Sequence, residues 1–282
     1  MSNYKYSELD KEQLIELANA NDADGQYALA CYYFSGKSGV REFENALFWM
    51  EKAARLDHFE AQKFIGNFYA DTECFHKAFK YVLAAAEKGD AEAQEKLGRF
   101  YEFGKGTEED VEQAIKWYEK AADQGNAKAQ EALGYCYFYG NGIEEDYDKA
   151  FFYLSKAAEK DLSNAQYDLG QCYYFGHGTQ ENCEKAFYWF NKSAENGNLL
   201  AKLYLGTLYF FGEGVEQNYE KAVSCFEEPA KHGNEIAQYN LGICLYKGLG
   251  TQKDEQKAIS LFEQSAKGGH GPAVEILKDI KK

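Results

Sequence analysis

The sequence predicts an all-α chain, a solenoid of helix-turn-helix repeats, and three observations carry that expectation. Gly98, Gly134, Gly170, Gly206 and Gly242 are each 36 residues apart, and Ala114, Ala150, Ala186, Ala222 and Ala258 keep the same period. Each period holds two apolar runs at helical spacing, as in Ala93, Leu97 and Tyr101, then Ala114, Trp117 or Tyr118, and Ala121 with Ala122. Gly104 and Gly125 stand where these two helices should stop, at left-handed caps that a residue without a β-carbon occupies cheaply. A period in this range marks a solenoid, whose units bury their apolar faces only against neighbours.

In chain order, residues 1–22 form a leader in which Ser7 or Asp10 caps a helix through Leu14, Ile15 and Leu17, covering the first repeat. Seven repeats follow, at 23–58, 59–90, 91–126, 127–162, 163–198, 199–234 and 235–270. Ala30 replaces the landmark glycine of the first, whose loop SGKSGV sets Gly39 one place late. The second has 32 residues rather than 36, and ADTECFH replaces its G-x-G turn. A tighter turn and a local change of superhelical curvature are expected there. Asp110, Asp146, Asn182, Asn218 and Asp254 suit the N-caps of second helices, with Gln113 as a capping-box partner of Asp110. Paired alanines let two helices approach, and the aromatics beside them fill the space between repeats. Pro229 breaks the sixth pattern: it removes a hydrogen bond and meets the Cys225 carbonyl, at about 3 kcal/mol in a straight helix, so a kink or early stop is expected. In the tail 271–282, Pro272 starts a helix with Val274, Ile276, Leu277 and Ile280 on one side and Lys281 and Lys282 at its end, a terminal cap.

The string A-x-x-x-L-G-x-x-Y-x-x-G-x-G, followed by D-x-x-K-A-x-x-W-Y-x-x-A-A-x-x-G, resembles the Sel-one-like repeat, a member of the tetratricopeptide-like superfamily. The resemblance covers 23–270. It implies a right-handed α-solenoid that holds other proteins, as adaptors and quality-control, signalling and host-interaction proteins do, and that is not an enzyme.

Composition sets the outer bounds. Of 282 residues, 45% are hydrophobic and 16% aromatic, which supplies an ordered core. A net charge of −15 disfavours nucleic acid and anionic membrane surfaces and favours basic or neutral protein partners. The start MSNYKYSELDKEQ lacks the tandem of a signal peptide, and no window approaches a spanning helix, so a cytoplasmic address is expected. A monomer is expected as well. The seven cysteines form no C-x-x-C pair, and Cys136, Cys172 and Cys244 share one slot, two residues after the landmark, where small buried hydrophobes belong. Cysteine-rich members of the resembled family cross-link within each repeat, a pattern missing here, which points to reduced thiols.

Little in the chain reads as chemistry. The G-x-G elements follow helices rather than strands and lack G-K-[ST], so they are turns and not phosphate loops. The five histidines show no ligand spacing, and neither a metal nor a cofactor is expected. The carboxylates near Asp110 and Asp146 flank N-caps, where negative charge favours the helix dipole. No catalytic residue stands out. A weak hydrolase like the penicillin-binding, cysteine-rich relatives is the competing reading, but paired cysteines and S-x-x-K are absent.

The remaining signal is a surface. On first helices, positions three before, one after and four after the landmark lie away from the structural side. In the third repeat they are Glu95, Arg99 and Glu102. In the later four they are Glu131, Tyr135, Phe138; Tyr167, Gln171, Tyr174; Leu203, Thr207, Phe210; and Tyr239, Ile243, Tyr246. First helices line the concave wall in the resembled superfamily, so these stripes would form one aromatic groove for a partner peptide or helix. The expected contacts are Tyr135, Phe138, Tyr167, Tyr174, Leu203, Phe210, Tyr239, Ile243 and Tyr246. Packing between repeats that buries part of the stripe is the opposing reading. The narrower expectation is an immunity or regulatory protein that blocks a cognate effector, a role known within the resembled family.

Overall fold

A computed structural model describes residues 6, 9–36 and 42–280 of the chain. Ser7, Gly39, Lys281 and Lys282, all used above, lie outside the described residues. The chain divides into two compact units, Met1–Ala129 and Gln130–Lys282. The described residues form sixteen helices and no strand.

The first unit opens with α1 (Lys11–Asn19) and continues in pairs: α2 (Ala23–Ser35) with α3 (Phe43–Arg55), α4 (Phe59–Asp71) with α5 (Phe75–Glu87), and α6 (Ala91–Glu102) with α7 (Val111–Asp123). The division falls within α8 (Ala127–Tyr139), which pairs with α9 (Tyr147–Ala158). The second unit goes on with α10 (Ser163–Phe175) and α11 (Cys183–Glu195), α12 (Leu199–Phe211) and α13 (Tyr219–Lys231), and α14 (Glu235–Lys247) and α15 (Glu255–Lys267). Helix α16 (Gly271–Ile280) packs on α15.

The repeat landmarks are steric. A β-carbon on Gly98 would stand 2.6 Å from the ring of Tyr118, so only glycine lets α6 close onto the aromatic of α7. Gly170 faces Phe190 and Gly242 faces Phe262 in the same way. Tyr118, Phe190, Phe226 and Phe262 are among the most deeply buried side chains, while Trp117 is only half-buried. The landmark alanines of the second helices, from Ala46 to Ala258, are fully buried. The second glycine of a turn meets a different neighbour. A β-carbon on Gly106 would strike the Phe75 carbonyl, because this turn rests on the first residue of α5.

The helix ends follow the expected chemistry, except that the Asp110 N–H goes to the Tyr101 carbonyl at 2.9 Å and not to the Gln113 side chain. Asp110, Asp146, Asn182, Asn218 and Asp254 each accept the N–H three residues on, at 2.8–3.0 Å. Asp10 caps α1, and Gln13 Oε1 accepts the Asp10 N–H in return at 3.1 Å, completing a capping box. The second repeat turns through Thr72, Glu73 and Cys74 alone, with Glu73 at a left-handed φ of 58°. Cys136, Cys172 and Cys244 are buried, and none of the seven cysteines, all among the described residues, is in a disulfide.

Pro229 departs from expectation. Helix α13 does not stop near Cys225 but runs through Pro229 to Lys231. The proline sits in the last turn, where the chain is already leaving the helix. Its carbonyl accepts the Asn234 N–H at 3.0 Å, the same closing bond that Asn126 makes to Ala121 and Asn198 to Ser193. Only one interior hydrogen bond is forfeited.

Candidate functional site

The candidate site is the outward face of the first helices α8, α10, α12 and α14 in the second unit. Each of these helices turns its landmark glycine toward its own second helix. Its outer face therefore lies on the far side. The position open in all four helices is five after the landmark, flanked by those two before and one after, which in α10 are buried. The positions are Ala132, Tyr135 and Tyr139; Asp168, Gln171 and Phe175; Tyr204, Thr207 and Phe211; and Asn240, Ile243 and Lys247. Tyr135 is 45% exposed and Phe211 62%.

The residues three before and four after the landmark turn instead toward the seam with the next repeat. Phe138 is 8% and Leu203 5% exposed, so neither is open to a partner as expected. The Phe138 ring packs on Tyr147 and His177, and Leu203 belongs to the cluster around Phe226. Tyr167, Tyr174, Phe210, Tyr239, Ile243 and Tyr246 are half-buried. Tyr174 contacts the Tyr204 ring and donates its hydroxyl to Glu213 at 2.9 Å, while Tyr239 and Tyr246 lie against Phe262. In the first unit Glu95, expected to be solvated, is buried, and burial raises its carboxyl above the ordinary range.

Two features of the face join residues of the expected stripe to others, such as Asp168, Tyr139 and Phe211, that sequence periodicity does not single out. The first is a polar centre. Asp168 is 5% exposed, and the Tyr139 hydroxyl donates to its Oδ1 and to Gln171 Oε1, each at 3.3 Å. Gln171 Nε2 donates to the Tyr204 hydroxyl at 3.4 Å. Burial pushes the Asp168 carboxyl up to about 7, the Tyr139 hydrogen bond lowers it, and the Glu131 charge raises it. Glu131 itself accepts the Ala165 N–H at 3.3 Å, serving a helix start where Leu162 offers no side-chain cap. The second feature is a pocket of about 240 Å³ between α12 and α14. Thr207, Phe210 and Phe211 form one wall, Tyr239, Asn240, Ile243 and Lys247 the other, with Phe226 also lining it.

A third set of residues missed in the sequence is structural. Gln26, Gln62, Gln94, Gln166 and Gln238 are buried, and each donates Nε2 to the carbonyl eight residues earlier, at 3.1–3.3 Å. A first helix is thereby tied to the second helix before it. The signal was available, because these glutamines recur four residues before the landmark position.

Stacked helical hairpins with an aromatic outer face and, among the described residues, no strand define a repeat scaffold of the α-solenoid class. The chain belongs to the Sel1 repeat family, whose pattern matches residues 23–58, 75–90, 91–126, 127–162, 163–198, 199–234 and 236–270. The second match begins at Phe75, the first residue of α5. The chain is similar to c5321, a protective antigen present in uropathogenic Escherichia coli strains and displaying an SLR fold. Identity is 33% over 95% of this chain, with a TM-score of 0.77. It spans 58% of that antigen's length. It is also similar to a Sel1 repeat protein from Oxalobacter formigenes, at 32% identity over 78% of this chain and 88% of that one, with a TM-score of 0.70. Comparison with curated proteins gives no match. Among the described residues, no helix is long and apolar enough to cross a membrane.

Proposed function

We propose that the chain is a non-enzymatic interaction scaffold that receives a partner protein, as an extended peptide or a helix, on the outer face of α8, α10, α12 and α14. The observation that carries this reading is the recurrence of an exposed ring five residues after the landmark, at Tyr139, Phe175 and Phe211, with Tyr135 packed against Tyr139. Tyr135, Tyr139, Phe175 and Phe211 are each at least 45% exposed, and the pocket beside Phe211 could take an apolar side chain. Tyrosine and phenylalanine give rigid contact area at low entropic cost. The partner is basic or neutral, since acidic turns such as Glu144 and Glu145 would repel an acidic one. In its narrower form the partner is an effector that this chain blocks.

Capture from the native lysate tests the reading. The wild type is compared with a Tyr135→Ala, Phe175→Ala, Phe211→Ala variant and with a control variant, Phe48→Ala, Phe152→Ala, Tyr188→Ala, which removes exposed rings from second helices. A partner lost with the first variant and kept with the control supports the face. A partner kept by the first variant and lost with the control contradicts it.

A further inference from the structure

The first unit contains a pocket that the shortened second repeat explains. Four residues are missing between α4 and α5, and Ala70 stands where later repeats carry Phe138, Tyr174, Phe210 and Tyr246. The two losses leave a pocket of about 270 Å³ at the end of α4. Phe75, Phe100 and Phe103 line it, with Phe75 and Phe100 edge to face at 6.0 Å. Lys96, Arg99 and Lys105 line it too.

Two of the three cations have no carboxylate partner among the described residues. Lys96 Nζ donates to the neutral Asn67 Oδ1 at 2.6 Å, and Lys105 Nζ lies 5.1 Å from the centre of the Phe75 ring. Arg99 pairs with the buried Glu95 at 4.0 Å. Among the described residues, neither Lys96 nor Lys105 pairs with a carboxylate. Asp71 and Glu73, both exposed, also border the pocket. A chain of net charge −15 thus sets two lysines that pair with no carboxylate beside three phenylalanine rings.

We propose that this pocket binds a monocarboxylate joined to an apolar group. Lys96 and Lys105 supply the charge that draws an anion. The rings would cover an apolar body, and the Arg99 fork matches a carboxylate in two hydrogen bonds. A free organic acid and the C-terminus of a peptide ending in an apolar residue share this chemistry. The site is separate from the face of the second unit, and neither assignment depends on the other.

Calorimetric titration of the full chain tests the assignment. The probes are N-acetylphenylalanine, its uncharged amide, a short neutral peptide ending in phenylalanine, and inorganic phosphate. The acid should bind at least about tenfold more tightly than the amide, a difference of roughly one charge-assisted hydrogen bond. Arg99→Gln should weaken the acid by a similar factor, and Ala70→Phe, which refills the space without touching a charge, should abolish binding. A peptide that binds more tightly than the small acid assigns a chain end, and equal affinities assign a free acid. Equal binding of acid and amide, preference for phosphate, binding unchanged in Arg99→Gln and Ala70→Phe, or no binding up to about 10 mM acid or peptide, well above a millimolar Kd, would each overturn the proposal.

Discussion

Single residues show where sequence speaks and where it stays silent. The landmark glycines were legible because a steric demand leaves a fixed residue type: no side chain fits between Gly98 and the Tyr118 ring. Asp168 was not legible, since an aspartate on a helix reads as solvated and its burial depends on Tyr139 from the preceding repeat. Its chemistry gives a signed prediction. A carboxyl held near 7 in the folded state and near 3.8 unfolded binds more protons when folded. The unfolded chain therefore binds fewer protons, and stability falls as pH rises from about 4 to about 7, by at most about 1.4 kcal/mol per pH unit for one group. Asp168→Asn keeps the shape and removes the charge. Urea unfolding should show the variant more stable than the wild type at pH 8, with the difference shrinking toward zero below pH 4. A constant difference across that range would place the cost elsewhere.

At the scale of the element, helix ends were read correctly because capping chemistry is local: Asp110 and Asn218 need only their own next turn. Pro229 was misread for a related reason. Its cost depends on how far it lies from the helix end, and α13 leaves only Ala230 and Lys231 beyond it. The buried glutamines show what joins one pair to the next. Gln238 carries α14 to the Ala230 carbonyl of α13 at 3.2 Å. Gln238→Leu would fill similar volume and remove that bond, leaving the Ala230 carbonyl with the Gly233 N–H, at a cost of about 0.5–1.5 kcal/mol. Denaturant midpoints of the full chain measure it, and a loss below about 0.5 kcal/mol, the lower end for an ordinary hydrogen bond, would show that the tie contributes nothing of its own.

For the whole molecule, the period, the paired helices and the family were all legible, because a repeat protein writes each structural demand several times. The face was legible only in part. Periodicity locates the side of a helix opposite its landmark but carries no term for the repeat that packs on its flank. At 3.6 residues per turn, that flank moves the exposed stripe by roughly 65° around each first helix. Tyr135 stayed in view, Phe138 and Leu203 turned into the seam, and Tyr139, Phe175 and Phe211 came out in their place.

The most direct measurement places a photoreactive phenylalanine analogue, one site at a time, at Tyr139, Phe175 and Phe211 and, for comparison, at Phe152 and Tyr188. Crosslinking is then carried out in the native lysate. The same partner should be trapped from all three first-helix sites and from neither second-helix site. Trapping only from Phe152 and Tyr188, or different proteins from each first-helix site, would contradict a single partner bound along that face.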